Sequence, residues 1–263
     1  MEQCNHRPGR DASNAVGRLS IVGTGPGGLE HLTEAAKTAI ARSSTIIGYS
    51  TYLDLIPELL VGKVVLSSAM MQEVDRCRKA LEMAEAGHDI ALVCGGDPGI
   101  YAMAGLVFEL AAEKDSSATI EVIPGLAALN SCAARLGAPL MHDFAAISLS
   151  DLLTPWPLIE KRLSAAASAD FVIVIYNPKS KKRTEHIVRA RELILEHRDA
   201  STPAGIVTAA TRGQETITLT TLGKLLDAKI TMQSTVIVGN SKTFCWRNFM
   251  ITPRGYADKY TLS

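Results

Sequence analysis

The sequence predicts an α/β protein of two α/β domains, the first built on a parallel sheet and the second on a mixed one. Three observations carry this reading. From Arg18 onward, short β-branched runs end in glycine and give way to alanine- and leucine-rich stretches at helical spacing. That alternation stops around Gly137-Ala138-Pro139, and a new run begins at Ala145-Ala146-Ile147-Ser148-Leu149. Beyond it, strand-like runs follow one another without helices between them. A chain of 263 residues has the length of one large or two medium domains. The break in pattern favours two, at residues 18–142 and 143–263, behind an extension at 1–17.

Leu19–Gly23 opens the first domain as a strand, because Ile21 and Val22 suit a pleated surface and Gly23 closes the run. Leu32–Ser43 follows as a helix, and Thr45–Gly48 and Lys63–Leu66 are the next strands. Met71–Ala86 is helical by its spacing. Ile90–Cys94, an unbroken apolar run ended by Gly95-Gly96, is a fourth strand. Helices at Tyr101–Glu113 and Leu126–Leu136 flank a fifth strand at Ile120–Ile123. Strands joined by crossover helices in this way form a parallel sheet covered on both faces. The second domain has helices at Leu158–Ala169 and Thr184–Arg198, a strong strand at Phe171–Tyr176, and strands at Gly205–Ala209, Thr216–Thr220, Val236–Gly239 and Phe249–Thr252.

Lys plus Arg number 27 and Asp plus Glu number 27, so the formal net charge is zero and the general attraction that nucleic-acid binders use is missing. Aromatic residues are only 5%, too few for base-stacking platforms to dominate the function. Cys4, Cys77, Cys94, Cys132 and Cys245 are an odd set with no C-x-x-C pair, which argues against a disulfide framework, a zinc ribbon or a cysteine-ligated cluster. Reduced thiols and no metal are expected. Met1 to Val16 has no apolar core of a secretory leader, and no later run reaches the length of a membrane span. The expectation is a soluble, cytoplasmic protein with a disordered extension and neither a nucleic-acid nor a membrane partner.

Gly23-Thr24-Gly25-Pro26-Gly27-Gly28 follows the first strand and satisfies G-x-G-x-x-G. A nicotinamide cofactor is disfavoured, because the second strand ends Ile47-Gly48-Tyr49 without the carboxylate that would bind the ribose. Pro26 also removes an N–H from the loop, which suits close packing on a less charged ligand or a simple tight turn. Gly95-Gly96-Asp97-Pro98-Gly99 and Pro124-Gly125-Leu126-Ala127-Ala128 end the fourth and fifth strands on the edge where open α/β sheets bind ligands. Asp97 and Pro98 can equally be the N-cap and first position of the next helix. Lys179, Lys181, Lys182 and Arg183 precede the Thr184 helix, where cations oppose the helix dipole, so either an anion is held there or the run is simply solvated.

Gly23–Gly28 with Leu32-Thr33, Gly96-Asp97-Pro98-Gly99-Ile100-Tyr101 and Pro124-Gly125 resemble the tetrapyrrole methyltransferases that use S-adenosylmethionine in cobalamin and sirohaem biosynthesis. The resemblance spans about Arg18 to Tyr256. His142 through Trp156, Tyr176-Asn177-Pro178 and Thr252-Pro253-Arg254-Gly255-Tyr256 are similar to its precorrin-3B or cobalt-precorrin-3 C17-methyltransferase branch. Leu152–Pro157 and Thr252–Tyr256 look more like the anaerobic, cobalt-dependent arm of that branch. The resemblance implies a donor trough between the two domains, a tetrapyrrole substrate and a homodimer. It also implies donor contacts at Pro26, Gly95, Gly96, Asp97, Ile100, Ala127, Ala128, Asn177, Gly205 and Thr235. Ala127 replaces a Thr or Ser, and Asn177 a Met, found in other members.

A sulfonium methyl is already activated, so the protein has mainly to align it and exclude water, without a metal. The C17 branch also contracts the macrocycle, which needs proton transfer. His142 and Asp151 are the expected acid or base, unless His142-Asp143 is only a satisfied turn. Ser148, Ser150 and Thr154, with the basic run Lys179, Lys181, Lys182 and Arg183, are the expected substrate contacts, the cations meeting acetate and propionate carboxylates. Trp156 reads as a packed lead-in to its helix, and Cys94 and Cys132 as small buried residues. Relatives acting at another ring position, on a diphthamide precursor or on ribosomal RNA, and a non-catalytic nucleotide-binding α/β protein, are the alternative readings.

Overall fold

The chain divides by its contacts into two units, one holding the residues up to Thr24 with Leu32–Gly125, the other Gly25–His31 with Leu126 onward. The computed structural model describes residues 16–69 and 71–261. Of the extension expected to be disordered, all but Val16 and Gly17 lies outside the described residues.

In the first unit the expected alternation is realised as β1 (Arg18–Gly23), α1 (Glu34–Arg42), β2 (Thr45–Tyr49), α2 (Ser50–Leu53), β3 (Val64–Ser68), α3 (Glu73–Glu85), β4 (Ile90–Cys94), α4 (Ala104–Lys114) and β5 (Thr119–Ile123). The sheet order is β3-β2-β4-β1-β5, with every pairing parallel. On one face Leu19, Ile21, Ile47, Leu92 and Cys94 pack with Cys77, Ala80, Leu81 and Ala84 of α3 and Val107 and Leu110 of α4. The other face takes α1, whose Arg42 donates to the hydroxyl of Ser20, the residue alternating with Leu19 and Ile21. Three helices, α1, α3 and α4, start later than their spacing implies. Thr33 caps α1 by accepting from Ala36 N–H at 3.1 Å, and Tyr101, at φ +52°, keeps α4 from starting before Ala104.

The second unit contains α5 (Ala128–Leu136), β6 (Gly137–Ala138), β7 (Phe144–Ser148), α6 (Trp156–Ser168), β8 (Val172–Tyr176), α7 (His186–Leu195), β9 (Pro203–Thr208), β10 (Thr216–Thr221), β11 (Ser234–Val238), β12 (Phe244–Trp246), β13 (Phe249–Ile251) and α8 (Tyr256–Lys259). Its main sheet runs β10-β9-β11-β8-β7, parallel only between β7 and β8, so it is mixed as expected. β12, β13 and β6 form a small separate sheet. The division falls after Gly125 rather than at the expected position 142, because α5 packs on β9, β10 and β11 and so counts with the second unit. Among the described residues no helix is long and apolar enough to cross a membrane.

Candidate functional site

In the first unit the carboxyl ends of β1, β4 and β5 meet backbone to backbone. A Cβ on Gly23 would stand 2.6 Å from both the Gly96 carbonyl oxygen and the Gly125 nitrogen, so no side chain fits there. The loop leaving β4 is equally tight: a Cβ on Gly95 would enter the Tyr52 ring, and Gly96 has φ +69°. Asp97 closes the arrangement by accepting from Gly99 N–H at 2.8 Å and from Gly125 N–H at 3.1 Å. It does not cap α4, which begins seven residues on at Ala104; Asp97 is the tie between two loops. Ile100 follows in the same turn, its N–H donating to the Asp97 carbonyl at 3.3 Å. The three glycine-rich strand ends therefore do share one rim.

The Gly25–His31 loop belongs to the second unit. The Pro26 carbonyl accepts from Arg212 Nε at 2.7 Å. Ala127 is the N-cap residue of α5 and offers no side-chain cap, while the Leu129 N–H donates to the Tyr176 hydroxyl at 2.9 Å. Ala127 is buried and Ala128 is partly open. Gly205 and Thr235, also expected at the donor, pack against α5: a Cβ on Gly205 would be 2.5 Å from Leu136 side-chain carbons, and Thr235 hydrogen bonds to Cys132.

A second polar cluster gathers at the carboxyl ends of β7 and β8. Asn177, at φ +50°, donates through Nδ2 to Ser148 Oγ at 3.0 Å, and Ser150 N–H donates to the same hydroxyl at 3.2 Å. The Arg183 side chain, only 12% exposed, points inward, donating to the Asn177 carbonyl at 3.0 Å and lying 3.8 Å from Asp151 Oδ1. Asp151 Oδ2 is 3.3 Å from His186 Nε2, and the His186 ring packs edge-on against Trp156 with centroids 4.1 Å apart. Trp156 is the first residue of α6 and packs on the core, as expected of a helix lead-in. Thr154 is partly buried in the adjoining turn, whereas Leu152 and Leu153 are 71% and 98% exposed.

His142 does not join this cluster. It precedes β7 while Asp151 follows it, which separates them by a five-residue strand, about 17 Å. Its Nδ1 accepts from Asp143 N–H at 2.9 Å, the satisfied turn considered above. The basic run is divided too: Lys181 and Lys182 are exposed, Lys179 lines a shallow depression with Glu185, Ile187 and Leu226, and Arg183 is a strut. His186 was not singled out in the sequence; its signal was a cation-forming residue in the first turn of a helix that already follows a basic run. Burial pushes the thiols of Cys77 and Cys94 up to about 12 and about 11, so neither is a nucleophile at neutral pH.

Residues 18–226 match the family model described as Tetrapyrrole (Corrin/Porphyrin) Methylases. The chain is 51% identical over 251 residues to a "Cobalt-factor III methyltransferase" of Priestia megaterium, covering 94% of this chain but 46% of that longer protein. It is 48% identical to a Salmonella typhimurium protein described as "Probable cobalt-factor III C(17)-methyltransferase", covering 90% of this chain and 99% of the relative. A crystal structure of the methyltransferase CobJ superposes with a TM-score of 0.84 at 35% identity, covering 90% of this chain and all of that one. The shared rim of glycine-rich strand ends, the family match over most of the chain and these likenesses lead to one conclusion: the chain belongs to the tetrapyrrole methylase family.

Proposed function

We propose that the protein transfers a methyl group from S-adenosylmethionine to C17 of a precorrin-3B or cobalt-precorrin-3 type tetrapyrrole, with ring contraction, in cobalamin biosynthesis. The observation that carries this reading is the likeness along almost the full length of a relative described as a cobalt-factor III C(17)-methyltransferase. That name also favours the cobalt-containing form of the substrate. The donor, when bound, supplies an activated sulfonium methyl. The residues present fit it: Gly95 and Gly96 carry no side chain to obstruct approach to their backbone, and the N-cap residue of α5, Ala127, places no polar side chain over the helix start. Pro26, Ile100 and Asn177 complete the set of residues that would hold it, while Gly205 and Thr235 act from below by supporting α5.

Ser148, Ser150 and Thr154 offer hydroxyls to the macrocycle's polar periphery, and the exposed Leu152 and Leu153 offer apolar contact for its face. Lys181 and Lys182 are free to meet substrate carboxylates. Asp151 and His186, 3.3 Å apart, can pass a proton between them, and the proton handling of ring contraction falls to this pair rather than to His142. A cytoplasmic homodimer fits the same resemblance.

Incubating the protein with isotope-labelled donor and the tetrapyrrole, then determining product mass and methyl position, tests the reading. One labelled methyl at C17 of a contracted ring is the expected result. A methyl at another ring position makes it a relative with different regiochemistry. Donor binding without any transfer makes it a non-catalytic nucleotide-binding protein.

A further inference from the structure

We propose that Arg212 is a positioning residue for the glycine-rich loop, fixing the Pro26 backbone where the methyl donor is held. This rests on the reading of that loop as a donor contact and goes beyond it, since Arg212 is not among the residues assigned to the donor.

The loop is poorly equipped to hold itself. Pro26 has no N–H, Gly27 and Gly28 restrict the backbone least of all residues, and Gly25 sits at φ +71°. What the loop lacks, Arg212 provides: its Nε donates to the Pro26 carbonyl at 2.7 Å, and its stem lies so close to the chain that a Cβ on Gly27 would be 2.7 Å from Arg212 Cγ. A guanidinium donor makes this a charge-assisted bond.

Arg212 is itself held in a built turn. Ala209 and Thr211 both adopt left-handed backbone, φ +51° and +64°, which non-glycine residues keep only where surrounding contacts enforce it. Glu215 enforces it. Its N–H donates to the Arg212 carbonyl at 2.9 Å, and its carboxylate accepts from Thr211 N–H at 2.5 Å and from Arg135 Nε at 2.9 Å. Arg135 lies on α5, the helix whose first residues are Ala127 and Ala128. The Pro26 loop and the last turn of α5 are therefore braced through one chain of contacts, from Arg212 through Glu215 to Arg135.

The test compares wild type with Arg212→Ala, Arg212→Lys and Glu215→Gln. The readouts are calorimetric affinity for S-adenosylhomocysteine, separate Michaelis constants for donor and tetrapyrrole, and the melting temperature. Arg212→Ala is expected to weaken S-adenosylhomocysteine about ten- to a hundredfold, the range for losing a charged hydrogen bond. The tetrapyrrole constant should stay put. Arg212→Lys, which keeps the charge without the planar fork, should recover most of the affinity, and Glu215→Gln should lose several-fold. A role confined to stability would move the melting temperature and both Michaelis constants together, and that result overturns the inference. So does unchanged affinity in Arg212→Ala or, should that variant not fold, in both Arg212→Lys and Glu215→Gln. Absence of S-adenosylhomocysteine binding by the wild type would instead remove the donor reading, and the inference with it.

Discussion

Both carboxylate oxygens of Asp97 are engaged by backbone N–H groups, one within its own turn and one on the loop after β5. Asp97→Asn keeps one acceptor and turns an NH₂ toward an N–H, so it should cost about 1–3 kcal/mol in urea melts and weaken S-adenosylhomocysteine. Gly96→Val should weaken it further, because a β-branched residue at φ +69° is strained as well as bulky. The basic run divides in the same way. Lys181→Gln with Lys182→Gln should leave stability unchanged and raise the tetrapyrrole Michaelis constant most at low salt, whereas Arg183→Ala should cost about 1.5–3 kcal/mol by removing the charged donor from the Asn177 carbonyl. Equal effects of the two changes on melting would refute that division. Motif and spacing made Asp97, Asp151 and Ser148 legible. They did not reveal that the strand β7 intervenes between His142 and Asp151, nor that His186, thirty-five positions further on, comes within 3.3 Å of Asp151, since such proximity is created by tertiary pairing alone.

The elements best read from the chain are those whose reason is local. β4 matches its expected span because five apolar residues stand between Asp89 and a glycine pair, and all five are buried. β6 and β12, of two and three residues, were missed because each exists only through pairing with β13. α5 shows how an element can be legible while its allegiance is not: its Leu136 fills the space where Gly205 of β9 has no side chain. Gly205→Ala should therefore push α5 off the sheet at a cost of about 1–3 kcal/mol. Because that helix begins at Ala127 and Ala128, donor affinity should fall with it, and a Gly205→Ala protein with wild-type melting and affinity would contradict this account of the helix seat.

At the scale of the whole molecule, resistance to acid has an identifiable contributor in Asp170. Burial works against its ionisation, but the Ser241 hydroxyl and N–H, with Arg198 and His142, outweigh it and hold its pKa below the ordinary carboxylate value. A carboxyl depressed in the folded state adds stability that is complete above its unfolded pKa, about 3.9, and disappears as pH falls through the lower folded value. Asp170→Asn should thus be less stable than wild type at pH 7, and the gap should narrow as the pH falls below the unfolded value of about 3.9. Asn tolerates the φ of +61° at this position, so the backbone is preserved. A constant gap in denaturation midpoint across that range would assign the effect to packing instead.

The contact between Arg212 and Pro26 joins positions 186 residues apart. A ribosome adding about 5–20 residues per second delivers the arginine some 10–40 s after the proline. β5, which completes the sheet of the first unit, leaves the ribosome well within that interval. The nascent sheet thus acquires all its strands while the seven residues between Thr24 and Leu32 still wait for their clasp. A protease acting during synthesis would find its cut there, and a transcript truncated before Arg212 would yield a complete first sheet with the Gly25–His31 loop, which belongs to the second unit, left open to cleavage.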